Sequence, residues 1–159
     1  MINNDILRRI RYVFDFSDAK MMAIFAAAEH EATREEISAW LKADNDPDFV
    51  SCVDSDMASF LNGLINDKRG KKEGEQPVPE KRLNNNIIFR KLKIALNLQA
   101  EEVLEILSLA EFEMSKHELS AFFRKSGHKH YRDCKDQVLR RFLEGLQVKY
   151  RDNDDGTEA

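Results

Sequence analysis

Residues 52–65 read CVDSDMASFLNGLI, and residues 134–147 read CKDQVLRRFLEGLQ. Cysteine, aspartate, phenylalanine, leucine and glycine recur at equivalent positions of these two stretches, which lie 82 residues apart. The same offset places residues 3–69 over 85–151 without a gap. Because each copy of an internal repeat forms one structural unit, the sequence predicts two similar modules in tandem.

Each copy has the apolar spacing of four short helices. In the first helix, Ile6, Leu7 and Ile10 recur at helical intervals. Before the third helix, Thr33 and Glu36 have the spacing of a capping box. One copy alone would bury too little surface to be more than marginally stable. We therefore predict an all-α protein of two tandem four-helix repeats, related by approximate two-fold symmetry and docked through a shared core.

Three recurring positions lead to local predictions. Each copy begins with two asparagines, Asn3 and Asn4 in the first and Asn85 and Asn86 in the second. Asparagine is a good N-cap residue, so one of each pair is expected to cap the first helix of its copy. Asp54 and Asp136 are expected to cap the fourth helix of their copies. Gly63 and Gly145 lie inside that helix, where glycine costs about 1 kcal/mol relative to alanine. A second helix is therefore expected to cross close to each glycine.

The composition also predicts the boundaries of the domains. Residues 71–82 are polar and interrupted by prolines, which indicates an exposed linker. The first repeat is then expected to span residues 1–70 and the second residues 83–152, with a disordered acidic tail over 153–159.

The chain of 159 residues has no apolar run near the ~20 residues that a membrane helix needs, so we expect no membrane span. Its N-terminus does not have the shape of a signal peptide. The two cysteines, Cys52 and Cys134, occupy equivalent positions and are expected to be small buried residues with reduced thiols. These features predict a cytoplasmic protein.

The two copies differ most in charge. Residues 34–69 carry four basic and eight acidic side chains, whereas the equivalent residues 116–151 carry ten basic and four acidic ones. Eight of the residues in the second stretch form a candidate surface for nucleic acid or another anionic partner, and we call them the basic face: Lys116, Arg124, Lys125, His128, Lys129, His130, Arg132 and Arg140. His117 and Tyr131 lie in the same part of the sequence.

The C-x-D-x-x-φ-x-x-F-L-x-G-L pattern of the two quoted stretches, in which φ is an apolar residue, is fairly specific. Together with the paired asparagines and the FRKSGHKHYR segment of residues 123–132, it resembles the YehS-like family of small bacterial proteins with a duplicated domain of unknown function. The resemblance covers essentially the whole chain. It implies a bacterial, all-helical tandem repeat, and it brings no activity or site residues with it.

Two catalytic or metal-binding patterns are weighed and set aside. His128, His130 and Cys134 have a spacing that zinc could use, but no second pair of ligands accompanies them. Two pairs of glutamates, Glu29 with Glu31 and Glu111 with Glu113, recur at the turn between the second and third helices. Both carboxylates of a pair would be solvated there and similar to one another, whereas acid–base catalysis needs two carboxyl groups in contrasting environments. We predict no catalytic residues, no metal site and no cofactor.

The function that fits these features is that of a non-catalytic binding or adaptor module with a protein partner or with self-association. The opposite charges of the two copies are the reason for this prediction. The alternative is a nucleic-acid-binding regulator that uses the basic face of the second repeat. An enzyme of unknown type is the second alternative.

Overall fold

The computed structural model describes residues 1–152, and within that range the chain forms helices and loops without a β-strand. It divides into two compact units between Leu83 and Asn84. The predicted all-α class and the two tandem four-helix repeats are confirmed. The two-fold relation and the shared core stay predictions, and the predicted disordered tail, 153–159, lies outside the described residues.

The first unit contains four helices: α1 (Asn3–Phe14), α2 (Asp18–Ala27), α3 (Arg34–Leu41) and α4 (Asp54–Arg69). Helix α2 begins where the hydroxyl of Ser17 accepts a hydrogen bond from the backbone of Lys20 at 3.1 Å. The predicted capping box of α3 is confirmed, since Thr33 Oγ1 accepts from Glu36 N at 3.1 Å and the Glu36 carboxylate accepts from Thr33 N at 2.9 Å.

The second unit repeats this order with α5 (Asn85–Ala95), α6 (Ala100–Leu109), α7 (Lys116–Ala121) and α8 (Asp136–Gln147), followed by a π-helical turn, Val148–Asp152. A capping box again begins the third helix of the unit, where the hydroxyl of Ser115 accepts from Glu118 N at 3.0 Å. Helix α7 is two residues shorter than α3, because α7 ends at Ala121 and α3 at Leu41.

The paired asparagines do not cap the first helix of either repeat. Asn3 and Asn4 lie inside α1, and Asn84 rather than the pair that follows it caps α5, accepting a hydrogen bond from Ile87 N at 2.9 Å. An N-cap prediction assumes that the side chain bonds to its own helix. Here the side chains of the pairs bond to the loop before the fourth helix instead.

The prediction that Asp54 and Asp136 are N-caps is wrong by one residue. They are the first residues of α4 and α8, and neither preceding residue forms a side-chain cap. Asp54 accepts hydrogen bonds from Asn3 Nδ2 at 2.8 Å and from Leu83 N at 2.9 Å. A carboxylate in the first turn still interacts favourably with the helix dipole. Aspartate is therefore suited to the first helical position as well as to the N-cap.

The fourth helix of each unit is crossed closely by the second, as predicted. A Cβ atom on Gly63 would lie 1.8 Å from the carbonyl oxygen of Ile24 in α2, and one on Gly145 would lie 2.0 Å from that of Ile106 in α6. No side chain fits at those distances. Glycine is therefore required because the two backbones touch.

Each unit has a buried aromatic cluster of its own. In the first unit, the ring of Phe25 lies 5.6 Å from that of Trp40 and 5.4 Å from that of Phe60. In the second, the ring of Phe89 lies 4.7 Å from that of Phe142. The three phenylalanines Phe25, Phe60 and Phe142 have no exposed surface. The cluster of the first unit joins α2, α3 and α4, whereas that of the second unit joins α5 and α8.

The segment between the repeats is mostly exposed and contains no helix, but it is attached to α4 at two places. Asn66 Nδ2 donates to Gln76 Oε1 at 2.9 Å, and Asp54 accepts from the backbone of Leu83 at 2.9 Å. None of the described helices has the length and apolar character that crossing a membrane requires.

Candidate anion-binding face of the second repeat

The centre of the candidate site is the loop between α7 and α8, residues 124–135, which we call the basic loop. A buried asparagine on α5 holds it in place. Asn86 Nδ2 donates to Phe122 O at 3.0 Å and to Arg132 O at 2.8 Å, and its Oδ1 accepts from Cys134 N at 2.9 Å. All three bonds reach backbone atoms, so the position of the loop does not depend on its side chains.

The equivalent loop of the first repeat, residues 42–53, is held in the same way, and we call it the acidic loop. Asn4 Nδ2 donates to Trp40 O and to Val50 O, each at 2.9 Å, and its Oδ1 accepts from Cys52 N at 3.0 Å. In both repeats a buried amide of the first helix therefore anchors the loop, and the asparagine before it, Asn3 or Asn85, donates a further hydrogen bond to Cys52 O or Cys134 O at 3.0 Å.

The turns inside the two loops also match. Asp46 Oδ1 accepts from Asp48 N at 2.8 Å in the acidic loop, and His128 Nδ1 accepts from His130 N at 3.0 Å in the basic loop. A carboxylate and an imidazole thus form the same local hydrogen bond at equivalent positions. The exchange of side chains changes the charge of the loop and leaves this turn in place.

The charges of the two loops are opposite. The acidic loop carries one basic and three acidic side chains, whereas the basic loop carries five basic side chains, one acidic side chain and two histidines. Since the backbone hydrogen bonds are shared, the difference lies in the side chains alone. The two repeats present different charges on one scaffold.

All eight residues of the basic face are exposed. Lys116 is neutralised, because its ammonium group lies 2.5 Å from the Glu101 carboxylate. Within residues 1–152, no salt bridge of 4.0 Å or less joins a carboxylate to the other five lysines and arginines of the face: Arg124, Lys125, Lys129, Arg132 and Arg140. Glu118 nevertheless lies near Arg132, and Asp136 lies near Arg140. Their charges are therefore available to an anion from solution.

The structure brings four residues of the basic face together around one groove. Arg124, Lys129, His130 and Arg132 line a groove of about 220 Å³ between α7 and the basic loop. His117 and Tyr131, which lie outside the predicted face, complete it. The other four predicted residues do not line this groove: Lys116, Lys125, His128 and Arg140.

A second groove, of about 440 Å³, borders the first. Its lining includes the apolar side chains of Met114, Phe122 and Val138. Asp133 and Lys135 line it as well. Glu118, Tyr131 and Arg132 line both grooves and so form the wall between them. Sequence reasoning missed this second groove, because its apolar residues have the spacing of ordinary core positions.

Two titratable groups of the shared wall have altered proton affinities. The hydrogen bond from the Ser115 backbone lowers the pKa of Glu118, so this carboxylate stays ionised and remains committed to the capping box. Burial raises the pKa of Tyr131, so its phenol stays neutral and keeps its O–H donor. The groove of about 220 Å³ thus contains one carboxylate, which is already engaged, beside several cationic side chains, and the second groove contains Asp133 in addition.

The patterns that were set aside have structural explanations. Cys52 and Cys134 are buried as predicted, and burial raises the pKa of each thiol to about 12. Among residues 1–152, no three histidine, cysteine, aspartate or glutamate side chains are grouped so that they could hold a metal ion.

The recurring glutamates end the second helix of each repeat. Glu29 and Glu111 have φ values of 57° and 59°, in the left-handed region that usually favours glycine. His30 N donates to Phe25 O at 3.1 Å and Glu29 N to Ala26 O at 2.9 Å, which is the pattern of a Schellman motif. The glutamates therefore occupy C-cap turns at the surface.

Comparisons with known proteins agree with the duplicated fold. A family described as "protein of unknown function (DUF1456)" matches the chain twice, over residues 3–70 and 85–152. An uncharacterized protein of Escherichia coli (strain K12), YehS, is 43% identical over 150 residues, which are 94% of this chain and 96% of that protein. No solved structure matches the chain.

Proposed function

We propose that this chain, which belongs to the DUF1456 family of proteins of unknown function, is a non-catalytic binding protein that contacts an anionic partner through its basic face. A cytoplasmic location in a bacterium is part of the proposal. It is supported by the free thiols of both cysteines and by the similarity to a protein of Escherichia coli.

One observation carries the proposal. The two loops share their buried asparagine, their backbone hydrogen bonds and their inner turn, yet they carry opposite charges. A scaffold that is fixed while its exposed side chains differ is typical of a binding surface built on a rigid framework. Because five cations of the face form no salt bridge among the described residues, the partner that they favour is anionic.

A binding role is favoured over catalysis by the environment of the titratable groups. Acid–base catalysis uses groups whose surroundings move their pKa values apart. The histidines of the basic face are exposed, and the buried polar side chains among residues 1–152, Asn4, Ser59, Asn62 and Asn86, do not titrate. The buried thiols of Cys52 and Cys134 do titrate, but burial raises the pKa of both to about 12 and so keeps both neutral. The chemistry that these residues support best is charge recognition.

A nucleic-acid-binding regulator is the more specific candidate. Its support is the spread of the face beyond one groove, from α7 through the basic loop to Arg140 on α8. Several separate cations can neutralise successive phosphates of a strand, and they make affinity fall steeply with salt. A protein partner would instead need an acidic surface, of which the acidic loop of another copy of the chain is one example.

The proposal is tested with fluorescently labelled heparin as a polyanion probe. The variant Arg124→Gln/Lys125→Gln/Lys129→Gln removes three cations of the face. A control, Lys72→Gln/Lys81→Gln/Arg82→Gln, removes three exposed cations of the first unit and changes the net charge equally. We expect the wild-type protein and the control to bind with similar affinity, and the variant of the face to bind at least about tenfold more weakly.

The same heparin titration, repeated at several salt concentrations, provides a second test of the proposal. Binding by the wild-type protein should weaken linearly on a plot of log affinity against log salt concentration, with a smaller slope for the variant of the face. Equal losses in both triple variants, or no binding by the wild-type protein at low salt, would contradict the proposal.

A further inference from the structure

We propose that the two adjoining grooves of the second repeat form a nucleotide site, in which the cationic groove of about 220 Å³ binds the phosphate and the groove of about 440 Å³, whose lining is part apolar and part charged, receives the base. This inference rests on the proposed function, because it identifies the anionic group that the basic face binds. The nucleotide can be free or part of a single-stranded nucleic acid, since both present the same phosphate and base.

The groove of about 220 Å³ has the chemistry of a phosphate site. Arg124 and Arg132 bring guanidinium groups to it, and Lys129 adds a flexible ammonium group. Arginine matches the oxygens of a phosphate with paired N–H donors, and lysine acts as a point charge. The single carboxylate of the lining, Glu118, accepts the capping hydrogen bond from Ser115 N at 2.9 Å.

The adjoining groove can receive an aromatic ring. Met114, Phe122 and Val138 supply apolar surface, and Tyr131 lies on the wall that both grooves share. The charged side chains of the same groove can form hydrogen bonds to the polar edge of a base: Glu118, Arg132, Asp133 and Lys135. Bases of single-stranded nucleic acids stack on aromatic side chains, and this contact tolerates any base because each has a π-face. Tyr131 is partly exposed, so one part of its side chain is accessible to a ligand beside the phosphate groove.

The first repeat has a matching backbone, but it lacks several of the side chains that line the phosphate groove in the second repeat. The residues equivalent to His117, His130 and Arg132 are Glu35, Asp48 and Val50. Two carboxylates therefore replace two imidazoles, and the guanidinium of Arg132 is replaced by an alkyl group. Because the first repeat folds with these residues on a matching scaffold, they can be transferred to the second repeat with little risk to its fold.

The test measures binding of three probes by isothermal titration calorimetry: inorganic phosphate, thymidine 5′-monophosphate and a single-stranded oligothymidylate. The site variant is His117→Glu/His130→Asp/Arg132→Val. We expect it to lose at least tenfold in affinity for both nucleotide probes. Its melting temperature, followed by circular dichroism, verifies that the fold is retained.

A second pair of variants separates stacking from charge. We expect Tyr131→Ala to weaken binding of the nucleotide probes several-fold and to leave binding of inorganic phosphate unchanged. Tyr131→Phe, which installs the residue that the first repeat has at Phe49, should keep the affinity. Amide signals of residues 128–132 in the NMR spectrum of the wild-type protein should shift with each nucleotide probe, a reading that needs no variant.

The outcomes distinguish this inference from the proposed function. If heparin binds through the basic face but neither nucleotide probe binds or shifts residues 128–132, the nucleotide site is wrong and the proposed function stands. If heparin does not bind either, both are wrong. Tighter binding of the oligonucleotide than of the mononucleotide would support the site and identify a nucleic-acid strand as the source, and equal affinities would support a free nucleotide.

Discussion

At the scale of the residue, the buried asparagines of the first helix in each repeat decide where the loops lie. Asn4 and Asn86 are 1% and 5% exposed and satisfy two backbone carbonyls and one backbone N–H each. A buried polar group is tolerated only when it is hydrogen-bonded. Asparagine suits this position because its side chain both donates and accepts.

Replacing either asparagine with alanine should therefore destabilise the protein. Asn86→Ala leaves the carbonyls of Phe122 and Arg132 and the N–H of Cys134 without their partner, and we expect a loss of at least about 2 kcal/mol in the free energy of unfolding. Chemical denaturation measures this loss. Asn45→Ala, at an exposed position of the acidic loop, is the control and should change stability by less than about 0.5 kcal/mol.

The two cysteines should be unreactive while the protein is folded. Burial raises the pKa of Cys52 and of Cys134 to about 12, and only the thiolate reacts readily with disulfide reagents. We expect no labelling of the native protein at a pH of about 8 and labelling of both thiols in denaturant. Rapid reaction of one thiol in the native state would show that this thiol is accessible to solvent, which contradicts the prediction.

At the scale of the element, the glycines of the fourth helices set how closely the second helices approach. The carbonyl oxygens of Ile24 and Ile106 occupy the space that a Cβ atom would need at Gly63 and Gly145. The intrinsic cost of glycine in a helix is about 1 kcal/mol relative to alanine. The repeats accept this cost because the close crossing buries the apolar faces of both helices.

Gly63→Ala and Gly145→Ala should each destabilise the protein although alanine is the better helix former. The added methyl group meets backbone rather than a flexible side chain, so we expect a loss of about 1–3 kcal/mol or more, measured by thermal or chemical unfolding. Gly127→Ala serves as the control, because nothing lies within 4 Å of a Cβ atom there. An increase in stability at Gly145 would contradict the close crossing.

At the scale of the whole molecule, duplication provided two units that each have a buried aromatic cluster and that differ in surface charge. Phe60 and Phe142 occupy equivalent positions with no exposed surface. The interior of each repeat is therefore restricted to apolar residues that fit its packing and to a few polar residues such as Asn4 and Asn86 whose hydrogen bonds are satisfied. The exposed loops are free of that restriction, and they carry the difference in charge.

Phe142→Ala should lower the free energy of unfolding by about 3–5 kcal/mol, because it removes a buried ring and leaves a cavity. Phe60→Ala should have a similar effect through the first repeat. Chemical denaturation measures both, with Val78→Ala at an 82% exposed position as the control. A loss of less than about 1 kcal/mol for Phe142→Ala would show that the ring is not part of the core.

Much of the architecture could be predicted from the sequence because it depends on local patterns. The helix spacing, the capping boxes of Thr33 and Ser115 and the crossing at Gly63 each follow from a residue and its near neighbours. The roles of Asn4 and Asp54 could not be predicted, because their hydrogen-bond partners lie tens of residues away. The sequence gives the residue type, and only the fold brings its partner to it.

The candidate site, like the architecture, could be predicted from the sequence only in part. The repeat, the helical class and the excess of cations in the second copy are properties of the sequence alone, since periodicity and charge can be read without knowing which residues meet. Tertiary structure alone brings Arg124, Lys129 and Arg132 together around one groove. It also forms the second groove, whose lining shares Tyr131 with the first. The reason is physical: a groove exists only where segments distant in the chain are packed against each other.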